Sequence, residues 1–272
     1  MNAKERINFL RKEIAIHNHR YYVLDKPIVS DFEFDLLLKQ LQELESEYPQ
    51  YFDENSPTQR VGGEVIGGFV SVPHKYKMLS LGNTYSEQEL IDFDRRLKKL
   101  TNQPIKYVCE LKYDGVSISL TYKNGKLIQA LTRGNGVEGD DVLFNVKTIK
   151  SIPLLLKGKF PDEFEIRGEI FLHISDFNKM NELRVGAGLN PYANPRNTAS
   201  GSLKLLDSKE TAKRPLDCFL YYVLSENTPT NSHYDNLQQA REWGFQVPTE
   251  IEMFNSINGV IDFVKRWEVK RH

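Results

Sequence analysis

Several things are scarce in this chain of 272 residues, and each shortage closes off a class of protein. There are two cysteines, Cys109 and Cys218, too few for a disulfide framework or a four-cysteine zinc site, so free thiols in a reducing compartment are expected. No apolar run approaches a membrane span, and the opening MNAKERINFL lacks the apolar centre of a signal peptide. With 40% hydrophobic and 27% charged residues and a mean hydropathy of -0.49, the chain reads as cytoplasmic, with no membrane partner. An excess of charge is missing too. The formal net charge is -1, so any contact with nucleic acid has to come from a local basic patch.

What is present begins with two helical patterns. Ile7, Leu10, Ile14, His17 and Tyr21 recur at spacings of three and four, and Pro27 ends that stripe. Ser30 and Glu33 then form a capping-box pattern ahead of Phe34, Leu37, Leu38, Leu41 and Leu44, which continue a second helix to Pro49. The stretch SPTQRVGGEVIGGF, residues 56–69, carries Pro57 and four glycines and reads as a linker. A domain boundary there gives units of 1–68 and 69–272. Beyond it, short alternating runs and turn signals replace the helical texture. Residues 123–125, KNG, mark a hairpin between β-rich runs, and FEIRGEIFL, residues 164–172, reads as a further strand. Helical patterns intervene at residues 86–100, 174–184, 234–244 and 257–272, so the second unit is α+β around an antiparallel sheet.

The candidate chemistry starts at CELKYDG, residues 109–115, where Lys112 lies two residues from Glu110 and two from Asp114. A strand alternates its faces, so these three would share one face. Glu165, Arg167 and Glu169 would do the same on the later strand. Gly115 and Gly168 leave room for something to approach the backbone closely. A lysine nucleophile must first lose a proton, and neighbouring carboxylates oppose that loss, so burial or a cation brought with a nucleotide has to offset them. Gly134, Gly136 and Gly139 make a G-x-G-x-x-G pattern, which raises a dinucleotide-binding Rossmann fold as an alternative. Glu138, Asp140 and Asp141 crowd that turn with negative charge, and the surrounding order is hairpin-rich, so a turn aiming Arg133 at an anionic ligand fits better. From Arg196 to Arg214 there are five basic residues against two acidic ones, in a stretch suited to a phosphate backbone or to an ordinary solvated loop. Asp31 and Asp35 lie one helical turn apart near a helix start, where acids are favoured whatever their function.

Seven segments in order, YYVLDKPIVSDFEFD, SPTQRVGG, MLSLGNTY, CELKYDG, LTRGNGVEGDDV, FEIRGEIFL and NPRNTASGSLKLLD, resemble those of bacterial NAD-dependent DNA ligases over nearly the whole chain. The resemblance implies a small helical N-terminal domain, termed Ia, followed by an ATP-grasp-like nucleotidyltransferase (adenylation) domain built on antiparallel sheets with flanking helices. It implies that Lys112 attacks the α-phosphorus of NAD, releases nicotinamide mononucleotide and carries AMP as a phosphoramidate, with Asp114 also catalytic. Glu110 would meet the adenine, Arg133 and Glu169 the ribose and phosphate, and Ser80 and Leu81 would join them in the nucleotide site. Tyr21, Tyr22, Asp31 and Asp35 would hold the nicotinamide mononucleotide half, and Arg196 and Lys204 would grip nicked double-stranded DNA. Mg²⁺ is implied in the phosphoryl chemistry, and the protein would act as a monomer.

Phe34, Asn135 and Lys204 depart from the tyrosine, aspartate and arginine frequent at those positions in the family. The chain also stops at WEVKRH, ahead of a further lysine-bearing strand of the family and of its OB-fold, zinc-finger, helix-hairpin-helix and BRCT parts. A fragment of a longer ligase is therefore expected, able to bind NAD, poor at self-adenylation and unable to seal nicks alone. Two other readings stay open from the residues: a non-catalytic NAD-binding module, and a relative of ATP-dependent ligases and RNA-capping enzymes.

Overall fold

The computed structural model describes residues 2–18, 28–53, 56–58 and 68–270. The expected mixture of helices and antiparallel sheets is present. Helix α1, Ala3–Asn18, and helix α2, Asp31–Glu47, open the fold, and the capping box at Ser30 and Glu33 forms as read. Ile7, Leu10, Ile14 and Leu41 are fully buried between them, with Phe34, Leu37, Leu38 and Leu44 packed alongside. Burying each such aliphatic side chain is worth about 1.5–3 kcal/mol. Phe34 thus faces an apolar cluster, where a hydroxyl would gain nothing from packing. Arg11 on α1 ties the pair together, donating to Glu45 at 2.6 Å and to the Tyr51 carbonyl at 2.7 Å.

The second part builds on strand β1 (Ser71–Pro73), helix α3 (Glu87–Leu100), strands β2 (Tyr107–Glu110), β3 (Val116–Lys123), β4 (Lys126–Thr132) and β5 (Glu138–Asp140), and helix α4 (Leu143–Val146). It continues with β6 (Glu163–Leu172), α5 (Ile174–Gly186), α6 (Pro195–Leu203), α7 (Ser208–Ala212), β7 (Leu216–Leu224), α8 (His233–Glu242), β8 (Ile251–Phe254) and α9 (Ile257–Lys270). A four-stranded antiparallel sheet in the order β4-β3-β6-β7 forms the centre, and the pairs β1-β5 and β2-β8 flank it. The KNG signal is a two-residue hairpin between β3 and β4. Asn124 and Gly125 sit at φ 50 and φ 74, the positive values that such a turn demands. Among the described residues every strand pair is antiparallel, which removes the Rossmann alternative, whose strands run parallel.

Three sequence expectations change here. The strand leading into the lysine motif ends at Glu110, and residues 111–115 are a connection to β3, so Glu110, Lys112 and Asp114 share no strand face. The two glycines make room for neighbouring strands. A Cβ on Gly115 would lie 2.2 Å from the Ile170 carbonyl oxygen, and one on Gly168 would lie 2.4 Å from that of Phe219. The basic stretch 196–214 is built largely on α6 and α7, with Lys204, Lys213 and Arg214 in the turns that follow them. Asn194 caps α6, Pro195 starts it, and Ala199 and Leu203 are fully buried.

Candidate active site

The lysine motif hangs between β2 and β3 on two anchors. Tyr113 packs its ring 4.6 Å from Phe219 and 6.2 Å from Phe171, while Gly115 lies against the β6 backbone. Burial, followed by the charge of Glu250, pushes the Tyr113 hydroxyl up to about 12, so it stays protonated at neutral pH. Lys112, held between these anchors, is exposed.

Neither flanking carboxylate binds it. His233 Nε2 is 2.5 Å from Glu110 Oε1, and Arg196 Nη1 donates to Asp114 Oδ1 at 3.2 Å. Among the described residues no hydrogen bond or ion pair joins Lys112 to either acid. The Asp114–Arg196 pair is substantially exposed, at 68% and 35% of the side chains, so it adds little stability. It does bring the N-terminal turn of α6 against the motif. Glu169, on β6 and opposite Ser117 on β3, is the buried acid of the group, 9% exposed. Burial raises its pKa, opposed by the Ser117 hydroxyl donating at 2.9 Å and by the charges of Lys112 and Arg196. Lys112, Asp114, Glu169 and Arg196 are thus coupled through geometry and charge.

Arg133 stands at the glycine turn between β4 and β5. Gly134 and Gly136 take φ 54 and φ 88 there, and Asn135 Oδ1 accepts from the amides of Val137 and Glu138, each at 2.9 Å. An aspartate would accept the same two bonds, which is why the exchange at this position leaves the turn intact. Arg133 Nη2 reaches Ser80 Oγ at 3.4 Å, whereas its Nε is buried with no hydrogen-bond partner. A buried donor left unpaired is costly, and an anionic ligand would satisfy it. Leu81 beside Ser80 is 80% exposed.

The remaining sequence candidates have other partners or are not fully described. Lys204 closes α6 with its amine 2.7 Å from Asp140 Oδ2, an acid buried completely on β5, so its charge is directed inward. Asp35 accepts from Asn83 Nδ2 at 2.7 Å and from the Tyr85 hydroxyl at 3.1 Å, which joins α2 to the segment after Ser80 and Leu81. Tyr21 and Tyr22 lie outside the described residues, and of Asp31 only the backbone is described, at the start of α2. Cys109 and Cys218 are free thiols that burial pushes up, Cys109 to about 11, so neither is an activated nucleophile. Among the described residues no three His, Cys, Asp or Glu side chains gather as a metal cage, and no helix is long and apolar enough to cross a membrane.

The model of the NAD-dependent DNA ligase adenylation domain matches residues 66–272, and that of the DNA ligase-like, N-terminal NAD+-binding domain matches residues 1–62. The chain belongs to the NAD-dependent DNA ligase family. Relatives described as DNA ligase include those of Flavobacterium johnsoniae, 55% identical over 273 residues, and Christiangramia forsetii, 56% over 272. That of Bacteroides fragilis is 52% identical over 272 residues. Each alignment covers 100% of this chain and 41% of the relative.

Within this ligase-family chain, sequence reasoning missed two partners of the motif. His233 had only its place before a helical pattern to signal it. Helix α6 had a plainer signal, the Asn-Pro pair at 194 and 195, which is a helix start by capping chemistry.

Proposed function

We propose that this chain is the NAD-binding, lysine-adenylating part of a NAD-dependent DNA ligase, with a helical unit over 1–68 and an adenylation unit over 69–272. The deprotonated amine of Lys112 attacks the adenylyl phosphorus of NAD. The bond from that phosphorus to the bridging oxygen breaks, nicotinamide mononucleotide departs with the oxygen, and AMP stays on Nζ as a phosphoramidate while the amine proton goes to solvent. Glu110 accepts from the exocyclic amine of the adenine, as a carboxylate that can only accept. Arg133 and Ser80 meet phosphate and ribose with Leu81 beside them, Glu169 supports the ribose side, and Asp114 serves the lysine motif. Tyr21, Tyr22, Asp31 and Asp35 receive the nicotinamide mononucleotide half. Arg196 and Lys204 contribute to contact with nicked DNA, to whose 5′-phosphate AMP is later passed.

Mg²⁺ would arrive on the phosphates. The described residues offer no cage for a resident ion. The chain spans 41% of the length of the relatives it matches, and as a cytoplasmic monomer it binds NAD and adenylates itself.

The observation that carries this reading is the wiring of the motif: both acids beside Lys112 are engaged elsewhere, and the amine between them is exposed and unclaimed among the described residues. Incubation with NAD or with ATP, followed by intact and peptide mass spectrometry, tests it. An AMP adduct on Lys112 with NAD and none with ATP is expected. Tight NAD binding without an adduct would favour the non-catalytic module, and an adduct from ATP the other ligase class.

A further inference from the structure

Glu110 ends β2, in the two-stranded sheet, whereas His233 is the first residue of α8, which packs on β7 of the central sheet. Their contact, 2.5 Å from His233 Nε2 to Glu110 Oε1, therefore spans the two sheets close to the lysine motif. A carboxylate can only accept, so Nε2 carries the proton and donates. The imidazole is itself braced, its ring 5.4 Å from that of Tyr222 on β7. The Ser232 cap fixes the start of α8, its hydroxyl accepting from the Asp235 amide at 3.2 Å, and the positive end of that helix lies toward the carboxylate. One oxygen of Glu110 is thus taken and its plane set, while Oε2 receives no hydrogen bond among the described residues.

We propose that His233 is a positioning residue that fixes the Glu110 carboxylate with one oxygen presented to the base, and so sets selectivity for a purine carrying an exocyclic amine. This rests on the reading of Glu110 as the adenine acceptor given above. A fixed, acceptor-only group rewards an amine and rejects a carbonyl at the same place, since a carbonyl would leave two acceptors facing each other. A carboxylate free to rotate, or to turn toward water, loses much of that discrimination.

The test compares calorimetric binding of NAD with that of nicotinamide hypoxanthine dinucleotide, in which a carbonyl replaces the amine. The wild-type chain is expected to favour NAD by roughly tenfold or more, the scale of one hydrogen bond to a charged group. His233→Phe keeps the ring against Tyr222 but lacks the N–H. It should weaken NAD binding by roughly tenfold and the hypoxanthine analogue by much less, which narrows the ratio. His233→Gln, with an N–H at similar reach, should restore most of it. A His233→Phe chain that retains the wild-type ratio, or loses both dinucleotides equally as a purely structural role would have it, overturns the inference alone. A wild-type chain that binds both dinucleotides equally overturns the reading of Glu110, and this inference with it.

Discussion

Two stretches of the chain carry one pattern, an acid, a base and an acid at alternate positions, and the fold wires them in opposite ways. In β6 the base is claimed: Arg167 donates to Glu165 at 3.0 Å and to the Tyr76 carbonyl at 2.6 Å, with side chains 13% and 4% exposed. In the lysine motif it is the acids that are claimed, by His233 and Arg196, and the base is left open. The difference follows from backbone setting. β6 lies between β3 and β7 with its charged face covered by the chain around Tyr76, so every charge there must find a partner. Glu110 closes β2 and the rest of the motif lies past its end, where no ladder fixes the side chains to one face and each turns to a different neighbour. Spacing alone does not distinguish a base held in an ion pair from one left open; burial and the element beneath do.

The comparison can be broken most decisively at the two bases. Lys112→Ala should abolish the AMP adduct completely in mass spectrometry while changing urea-unfolding stability by no more than about 0.5 kcal/mol, as befits an exposed side chain. An adduct surviving in that variant would put the chemistry elsewhere. Arg167→Met should do the reverse in kind, costing about 3–5 kcal/mol by stranding the buried Glu165 charge, read from the same urea curves. A loss below 1 kcal/mol would mean that the covered face is wetter than the packing implies. A smaller effect is expected at Gly168→Ala, whose new Cβ would press the Phe219 carbonyl oxygen and the Leu220 side chain. About 1–3 kcal/mol of stability should go, with Lys112 chemistry reduced only through the sheet.

Glu169 joins the two stretches, since it belongs to the β6 pattern but feels the Lys112 charge. Its pKa in the folded chain lies above the unfolded value of 4.5, so the folded state holds its proton more tightly. Stability from this group is therefore largest below pH 4.5 and declines as pH rises through the window up to the folded pKa. Glu169→Gln should make the chain modestly more stable at pH 7 and lose that advantage below about pH 4.5, measured as the denaturant midpoint against pH. An advantage that grows on acidification would reverse the sign and refute the burial assignment.

Much of the fold was legible from local chemistry. The stripe of Ile7, Leu10 and Ile14, the Ser30 capping box and the Asn124-Gly125 hairpin each act within a few residues, and each formed as read. Residues 111–115 were misjudged because nothing within them signals where β2 loses its partner β8, which comes from residues 251–254. That Gly115 and Gly168 admit a close approach was readable, whereas what approaches was not, since the carbonyls that crowd them belong to strands distant in sequence. The lysine, its two acids, Glu169 and Arg196 could be named from motifs, whereas the partner each acid takes depends on tertiary packing. Lys204 shows the same limit: its inward contact with Asp140 needs the β5 turn and the end of α6 together.

The pairing of β2 with β8 also bears on how the chain is assembled. Among the described residues β8 is the one strand bonded to β2, and His233, which holds Glu110, lies late in the sequence as well. A ribosome working from the N-terminus releases Lys112 long before Ile251–Phe254 exist, while α1 and α2 can close against each other at once. The setting of Lys112 is therefore completed only once β8, far along the chain, has been made. A nascent chain halted ahead of β8 would display the lysine motif without the strand that steadies it.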